Sequence, residues 1–128
     1  MNPLQTHELA IKVDDSAGRL RLDWSGKSTS RDPSQVLAPF LDQVLSSASA
    51  GGKTVEMHFE AMEHFNSSTV AELIRVINKG RTSQVPLTVF YNASCKWQEL
   101  SFKALERAMR PFQTGLEPSV RILSVADA

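Results

Sequence analysis

Apolar and polar residues alternate in three short stretches of the chain, the period-two signature of strands with one covered face. Residues 9–13 read Leu-Ala-Ile-Lys-Val and residues 19–24 read Arg-Leu-Arg-Leu-Asp-Trp. Between them lie Asp14, Asp15, Ser16, Ala17 and Gly18, which are turn residues, so the pair predicts a β-hairpin. In the second run Leu20, Leu22 and Trp24 share one face and Arg19, Arg21 and Asp23 the other. One face of the sheet therefore meets water or a partner. Residues 54–59 alternate in the same way, with Val55, Met57 and Phe59 inward and Glu56, His58 and Glu60 outward. This is a third strand.

Helical spacing takes over between these strands. In residues 33–47, Val36, Leu37, Phe40, Leu41, Val44 and Leu45 form an apolar stripe, with Asp32 or Ser34 as the cap near Pro33. Pro39 inside that stripe predicts a kink or a late start, and the Ser/Ala/Gly stretch 46–52 reads as a loop. A second helix follows residues 61–69, with Val70, Leu73, Ile74 and Ile77 at i, i+3, i+4 and i+7 and Gly80 as its C′ residue. Pro86 leads into Leu87-Thr88-Val89-Phe90-Tyr91, an interior strand. The third helix, residues 95–109, carries Trp97, Leu100, Ala104, Leu105 and Ala108 on its stripe and ends at Pro111; residues 120–125 suit a last strand. The order β-β-α-β-α-β-α-(β) requires parallel strands joined by right-handed helical crossovers, hence an α/β class with helices mainly on one face.

Composition narrows the function. The chain has 128 residues, 41% of them apolar, which suits one domain. Fourteen Lys+Arg balance fourteen Asp+Glu, leaving no broad electrostatic footprint for nucleic acid and pointing to protein partners. A single cysteine, Cys95, excludes an intramolecular disulfide and any cysteine-based metal cluster. The first residues lack a cationic start and an apolar run, so a cytoplasmic location is expected, and no stretch approaches the ~20 apolar residues of a membrane span. No internal repeat appears, and no G-x-G-x-x-G or G-x-x-x-x-G-K-[ST] follows a strand, so dinucleotide and Walker-type nucleotide binding lose their main support.

Phe65-Asn66-Ser67-Ser68-Thr69-Val70 is the most informative stretch, because small hydroxyl residues stand where the second helix begins. Asn66 or Ser67 suits an N-cap, accepting a hydrogen bond from an unpaired amide of the first turn. A strand, then a short turn, then Asp-Ser-Ser-Gly opening an amphipathic helix is also the pattern of STAS domains, the anti-sigma-factor antagonists and their relatives. Asn66-Ser67-Ser68-Thr69 resembles that motif in position, and residues 9–109 match the family's order of elements. The resemblance implies a single STAS-like domain over 1–128 with a mixed, mostly parallel sheet of four to five strands, residues 110–128 adding a strand or a tail.

It further implies a bacterial, non-enzymatic switch of transcription, without cofactor or metal. The unmodified domain binds an anti-sigma factor or serine-kinase-like regulator, a kinase phosphorylates Ser67, and a phosphatase resets it. Ser68 and Thr69 are lesser acceptors. The implied contact surface is Asn66, Ser67, Ser68, Thr69, Glu72 and Arg75. A phosphate brings about −1.5 to −2 charges, which a helix N-terminus accommodates through its open amides and dipole, so the docking surface changes while the fold need not. Asn66 stands in place of the motif's Asp and lacks its charge; Thr69 stands in place of its Gly and adds a β-branched side chain. The alternative is a STAS-like scaffold or accessory subunit that is never phosphorylated, in which these residues only cap the helix.

Other chemistry is weaker. His58, Glu60, Glu63 and His64 lie within seven residues but do not form H-E-x-x-H, and the zinc-deaminase H-x-E lacks its P-C-x-x-C. A triad of Ser67 with His58 or His64 and Glu63 has no G-x-S-x-G elbow. Asn66-Ser67-Ser68 and Asn92-Ala93-Ser94 are coincidental sequons, and Cys95 beside Lys96 reads as incidental. Arg75, Lys79 and Arg81 form a solvated face or a grip for an acidic partner. Phe102 and Met109 fall off the third helix's stripe, either packed under the C-terminal segment or part of a contact patch, while Trp24 and Trp97 read as core.

Overall fold

In the computed structural model, residues 2–109 and 120–125 are described. They form six strands and three helices: β1 (Leu4–Gln5), β2 (Leu9–Ser16), β3 (Arg19–Ser28), α1 (Ser34–Gly51), β4 (Thr54–Phe65), α2 (Ser67–Thr82), β5 (Leu87–Asn92), α3 (Lys96–Met109) and β6 (Val120–Val125). The strands lie side by side in chain order in one sheet. The first three are antiparallel neighbours, and β3 to β6 are parallel. The sheet thus has six strands rather than four or five. The last strand expected at 120–125 is present as β6, and the addition is the two-residue β1, which a tight turn folds onto β2, with Thr6 N–H donating to Leu9 O at 2.8 Å.

All three crossovers cover the same face. Ile11, Leu20, Leu22, Trp24, Val55, Met57, Phe59, Leu87 and Val89 point beneath the helices and are buried there. A ring of aromatics fills the centre, Phe59 packing on Trp24 at 4.7 Å and on Phe102 at 5.1 Å between centroids. Because each helix runs antiparallel to the strands it joins, all three helix N-termini sit at the carboxyl edge of the parallel strands.

The helices run further than their sequence patterns suggest. α1 continues through the stretch read as a loop and ends at Gly52 in a left-handed conformation, φ 63°. It starts on time, with Pro39 exposed inside it and no side-chain cap from Asp32 or Ser34. Gly80 is not a C′ residue: α2 runs on to Thr82, and Gly80 is a buried packing position facing Leu45 and Leu87. Positive φ belongs instead to Gln84, at 59°.

Two larger departures concern β4 and α3. The segment 61–65 is strand, not an exit loop. Between Asp23↔His58 and Ser25↔Ala61 the register slips, β4 carrying an extra residue. That bulge defeats simple alternation: Met62 is buried where strict period two from Phe59 would place Ala61, and a second slip, between Gly26↔Met62 and Lys27↔His64, brings Phe65 back into the buried phase. The carbonyls it leaves are met by the buried side chain of Gln98, whose Nε2 donates to Phe59 O at 2.9 Å and Met62 O at 3.1 Å. Gln98 Oε1 accepts from Asn92 N–H at 2.8 Å, tying β4, β5 and α3 together. Consequently α3 buries Gln98, Phe102 and Leu105, not the Leu100, Ala104, Ala108 side. Phe102 is completely enclosed by the aromatic core; Met109's side chain and residues 110–119 lie outside the described residues.

Three substitutions test this packing. Gly26 has φ +89°, and a Cβ there would stand 2.1 Å from Glu8 O, so Gly26→Ala lowers unfolding free energy by at least about 2 kcal/mol. Gly80→Ala has only ordinary contacts at 3.6 Å and gains helix propensity, so it is neutral or stabilising by up to about 1 kcal/mol. A C′ glycine would give the opposite sign. Gln98→Leu strands buried carbonyls and costs about 2–3 kcal/mol. Urea denaturation of the three variants measures all of these.

Candidate functional site

β4 ends at Phe65, and the chain turns into α2 at Asn66, an extended residue with φ −93° and ψ 177°. The Asn66 side chain caps the helix: Oδ1 accepts from Thr69 N–H at 3.0 Å. Its Nδ2 donates to Ser30 O at 2.8 Å, and its own backbone N–H donates to Ser28 O at 3.0 Å. Thr69 turns its hydroxyl inward, 2.7 Å from Ser28 Oγ and 2.9 Å from Asn66 Oδ1. These bonds are mutually satisfied if Ser28 donates to Thr69 and Thr69 donates to Asn66. The result is a latch that pins the end of β3 to the mouth of α2.

This arrangement sorts the candidate residues. Ser67 opens the helix and is exposed; Ser68 is half-buried. As first-turn residues, both present backbone amides that have no intrahelical acceptor. Thr69 is fully enclosed, so the least accessible of the three hydroxyls is the one that replaces the motif's glycine. Its branched methyl faces the interior rather than an approaching partner.

Glu72, expected at the contact surface, is buried instead, with its side chain 1% exposed. It accepts from Ser34 Oγ at 2.8 Å and from Arg75 Nη2 at 2.7 Å. Arg75 is 38% exposed and bridges on to Asp42 at 3.0 Å, which also meets Lys79 at 3.2 Å. The hydrogen bonds to Glu72, followed by those to Asp42, raise the Arg75 pKa against the opposing effect of burial. Burial would raise the Asp42 pKa, but hydrogen bonds from Arg75 and Lys79 outweigh it and hold the carboxyl below its usual range. The cluster clamps α1 to α2 and leaves only the outer edge of Arg75 available.

The histidines and acids do not assemble around Ser67. His58 stands on the uncovered sheet face, its ring stacked on Phe90 at 4.3 Å and bonded to Glu56 at 3.1 Å and Glu60 at 3.3 Å. It is 12% exposed, so the expected solvated strand face is largely closed at this point. His64 is exposed beside Trp97 at 5.9 Å. Among the described residues, no group of three or more His, Cys, Asp or Glu is placed to hold a metal ion. Trp24 is core, whereas Trp97 is half-buried and meets Phe65 edge-on at 5.0 Å. Sequence reasoning missed the Ser28 and Ser30 contribution, because their partners lie some forty positions along the chain.

Comparison with known proteins bears on the fold. No family model matches the chain, and no curated protein matches it in sequence. Solved structures do match. An anti-sigma factor antagonist from Mycobacterium paratuberculosis aligns with TM-score 0.55 and 18% identity, over 82% of this chain and 86% of that one. Apo-SiaC from Pseudomonas aeruginosa aligns with TM-score 0.58 and 15% identity, over 98% and 100%. A DUF3478 protein with a SpoIIAA-like fold from Shewanella loihica gives 0.52 and 17%, over 97% and 90%. The chain has a SpoIIAA-like fold, consistent with the STAS-like architecture expected from its sequence. No helix among the described residues is long and apolar enough to cross a membrane.

The latch and the clamp make separable predictions. Thr69→Val leaves Ser28 without its partner and lowers stability by about 1–3 kcal/mol, while exposed Ser67→Ala changes it by less than about 0.5 kcal/mol. Asp42 has a lowered folded pKa, so its contribution is complete above the unfolded value near 4 and disappears as pH falls through the folded value. Asp42→Asn therefore flattens stability against pH below about 5. At 36% exposure the effect is at most about 1 kcal/mol, read from urea midpoints between pH 3 and 7.

Proposed function

We propose that this chain is a regulatory protein-binding module, an anti-sigma-factor-antagonist-like switch whose docking surface is the mouth of α2. The observation that carries the reading is the exposed Ser67 hydroxyl at the first position of a helix whose cap is supplied by other residues. Asn66 already receives the Thr69 amide, so Ser67 is free of any capping duty. Phosphorylation there adds a dianion beside open amides and the positive end of the helix dipole, which leaves the fold intact. A partner closely packed over the helix mouth must then desolvate that dianion, and the complex weakens.

In this reading the partner is an anti-sigma factor or a serine-kinase-like regulator, the kinase modifies Ser67, and a phosphatase restores the binding form. Ser68 is the secondary acceptor. The fold supports the class of partner through its likeness to an anti-sigma factor antagonist. The chain carries out no catalysis of its own. A second reading is favoured by the completeness of the latch: Asn66, Thr69 and Ser28 satisfy one another without any modification, as a permanent scaffold or accessory subunit would require.

Intact-mass and peptide mapping of protein from its native host separates the two. A phosphoryl group on Ser67, with Ser67→Asp binding the regulator at least about tenfold more weakly than the wild type, is the expected result. A partner whose affinity is the same for wild type, Ser67→Ala and Ser67→Asp identifies a scaffold and overturns the switch.

A further inference from the structure

α3 has two apolar sides, and among the described residues only one of them is covered. Gln98, Phe102 and Leu105 face the core. At about 3.6 residues per turn, Trp97, Leu100, Ala104 and Ala108 form a second band on the solvent side. Leu100 is 63% exposed, the most exposed of the large hydrophobic side chains among the described residues, and Ala104 and Ala108 are exposed with it. Lys96, Lys103 and Arg107 run along one border of this band, all exposed. Lys103 is shared with Glu99 at 3.3 Å, whereas Lys96 and Arg107 have no ion pair among the described residues. The acids of the helix, Glu99 and Glu106, lie beyond the basic border, away from the apolar band.

We infer that this face of α3 is an interaction surface for an acidic amphipathic helix of a protein partner. The apolar band would receive its hydrophobic stripe, and the Lys96–Lys103–Arg107 border would meet its carboxylates. Charge complementarity selects an acidic occupant. A second copy is disfavoured, since antiparallel two-fold packing sets the basic border of one α3 beside that of the other. The band is also continuous with the mouth of α2: Trp97 packs on Phe65, the residue immediately before Asn66. The surface extends the reading above onto a second element and rests on it only for the identity of the partner.

The test is an amide-resolved NMR titration of the full chain with a synthetic helical peptide of leucine and glutamate at heptad spacing. The expected result is perturbation of the amides of Trp97, Leu100, Ala104 and Ala108. Affinity should fall at least about tenfold with Leu100→Lys and with Lys103→Glu/Arg107→Glu, and on raising salt from about 50 to about 300 mM. Both variants change exposed side chains, and unchanged amide shifts in β2 to β5 verify their fold. Ser67→Asp should leave peptide binding in place, which separates this surface from the phosphorylation reading. Absence of perturbation, perturbation confined to other elements, or equal binding by Leu100→Lys overturns the inference. So does binding of phosphatidylglycerol vesicles, but not the peptide, at these residues.

Discussion

Two hydroxyls hold the mouth of α2 in place. Ser28 and Thr69 meet at 2.7 Å, both buried, one at the last residue of β3 and the other in the first turn of α2. A buried hydroxyl without a partner costs about 1–3 kcal/mol, so each fixes the other, and with them the distance between a strand end and a helix start. Asn66 completes the arrangement by receiving the Thr69 amide and hydroxyl together. The mouth of α2 takes its position from this contact. Ser67, lying between the held residues Asn66 and Thr69, stays exposed.

The same economy appears in the rest of the core. The bulge in β4 disturbs the ladder, and one side chain, Gln98, supplies what the disturbed carbonyls need while also receiving the Asn92 amide. The Glu72–Arg75–Asp42 cluster performs a comparable task between α1 and α2, with its most buried member, Glu72, satisfied by Arg75 and Ser34. The buried side chains of Ser28, Thr69, Glu72 and Gln98 are thus all paired, while Trp24 Nε1 and Glu60 Oε1 are buried without a partner among the described residues.

The sequence made the hairpin, the parallel crossovers and the start of α2 legible, since Leu20, Leu22 and Trp24 or Leu73 and Ile77 follow one clean period. It hid what depends on distant partners. Glu60 and Ala61 interrupt the alternation of β4, and only the facing residues of β3 show that a bulge, not a loop, accommodates them. Gln98 is a polar residue at the heart of α3's covered side, so counting apolar positions placed Leu105 correctly but drew in the exposed Leu100, Ala104 and Ala108 and left out Gln98 and Phe102. Glu72 was misplaced for the same reason, a carboxylate being read as surface when Arg75 and Ser34 make its burial tolerable. Within the motif itself, Ser67 and Asn66 lie where local rules put them, whereas the inward turn of Thr69 required knowledge of Ser28.

The parallel alignment of the three helices has a consequence that the balanced count of charged side chains conceals. Peptide dipoles that all point the same way give the molecule a permanent electric moment, directed along the strands, even at zero formal charge. An anionic macromolecule diffusing nearby experiences a torque before any surface touches, and the collision is biased toward one end of the molecule. The backbone therefore contributes a fixed share to the orientation of the encounter, to which the charged side chains add theirs.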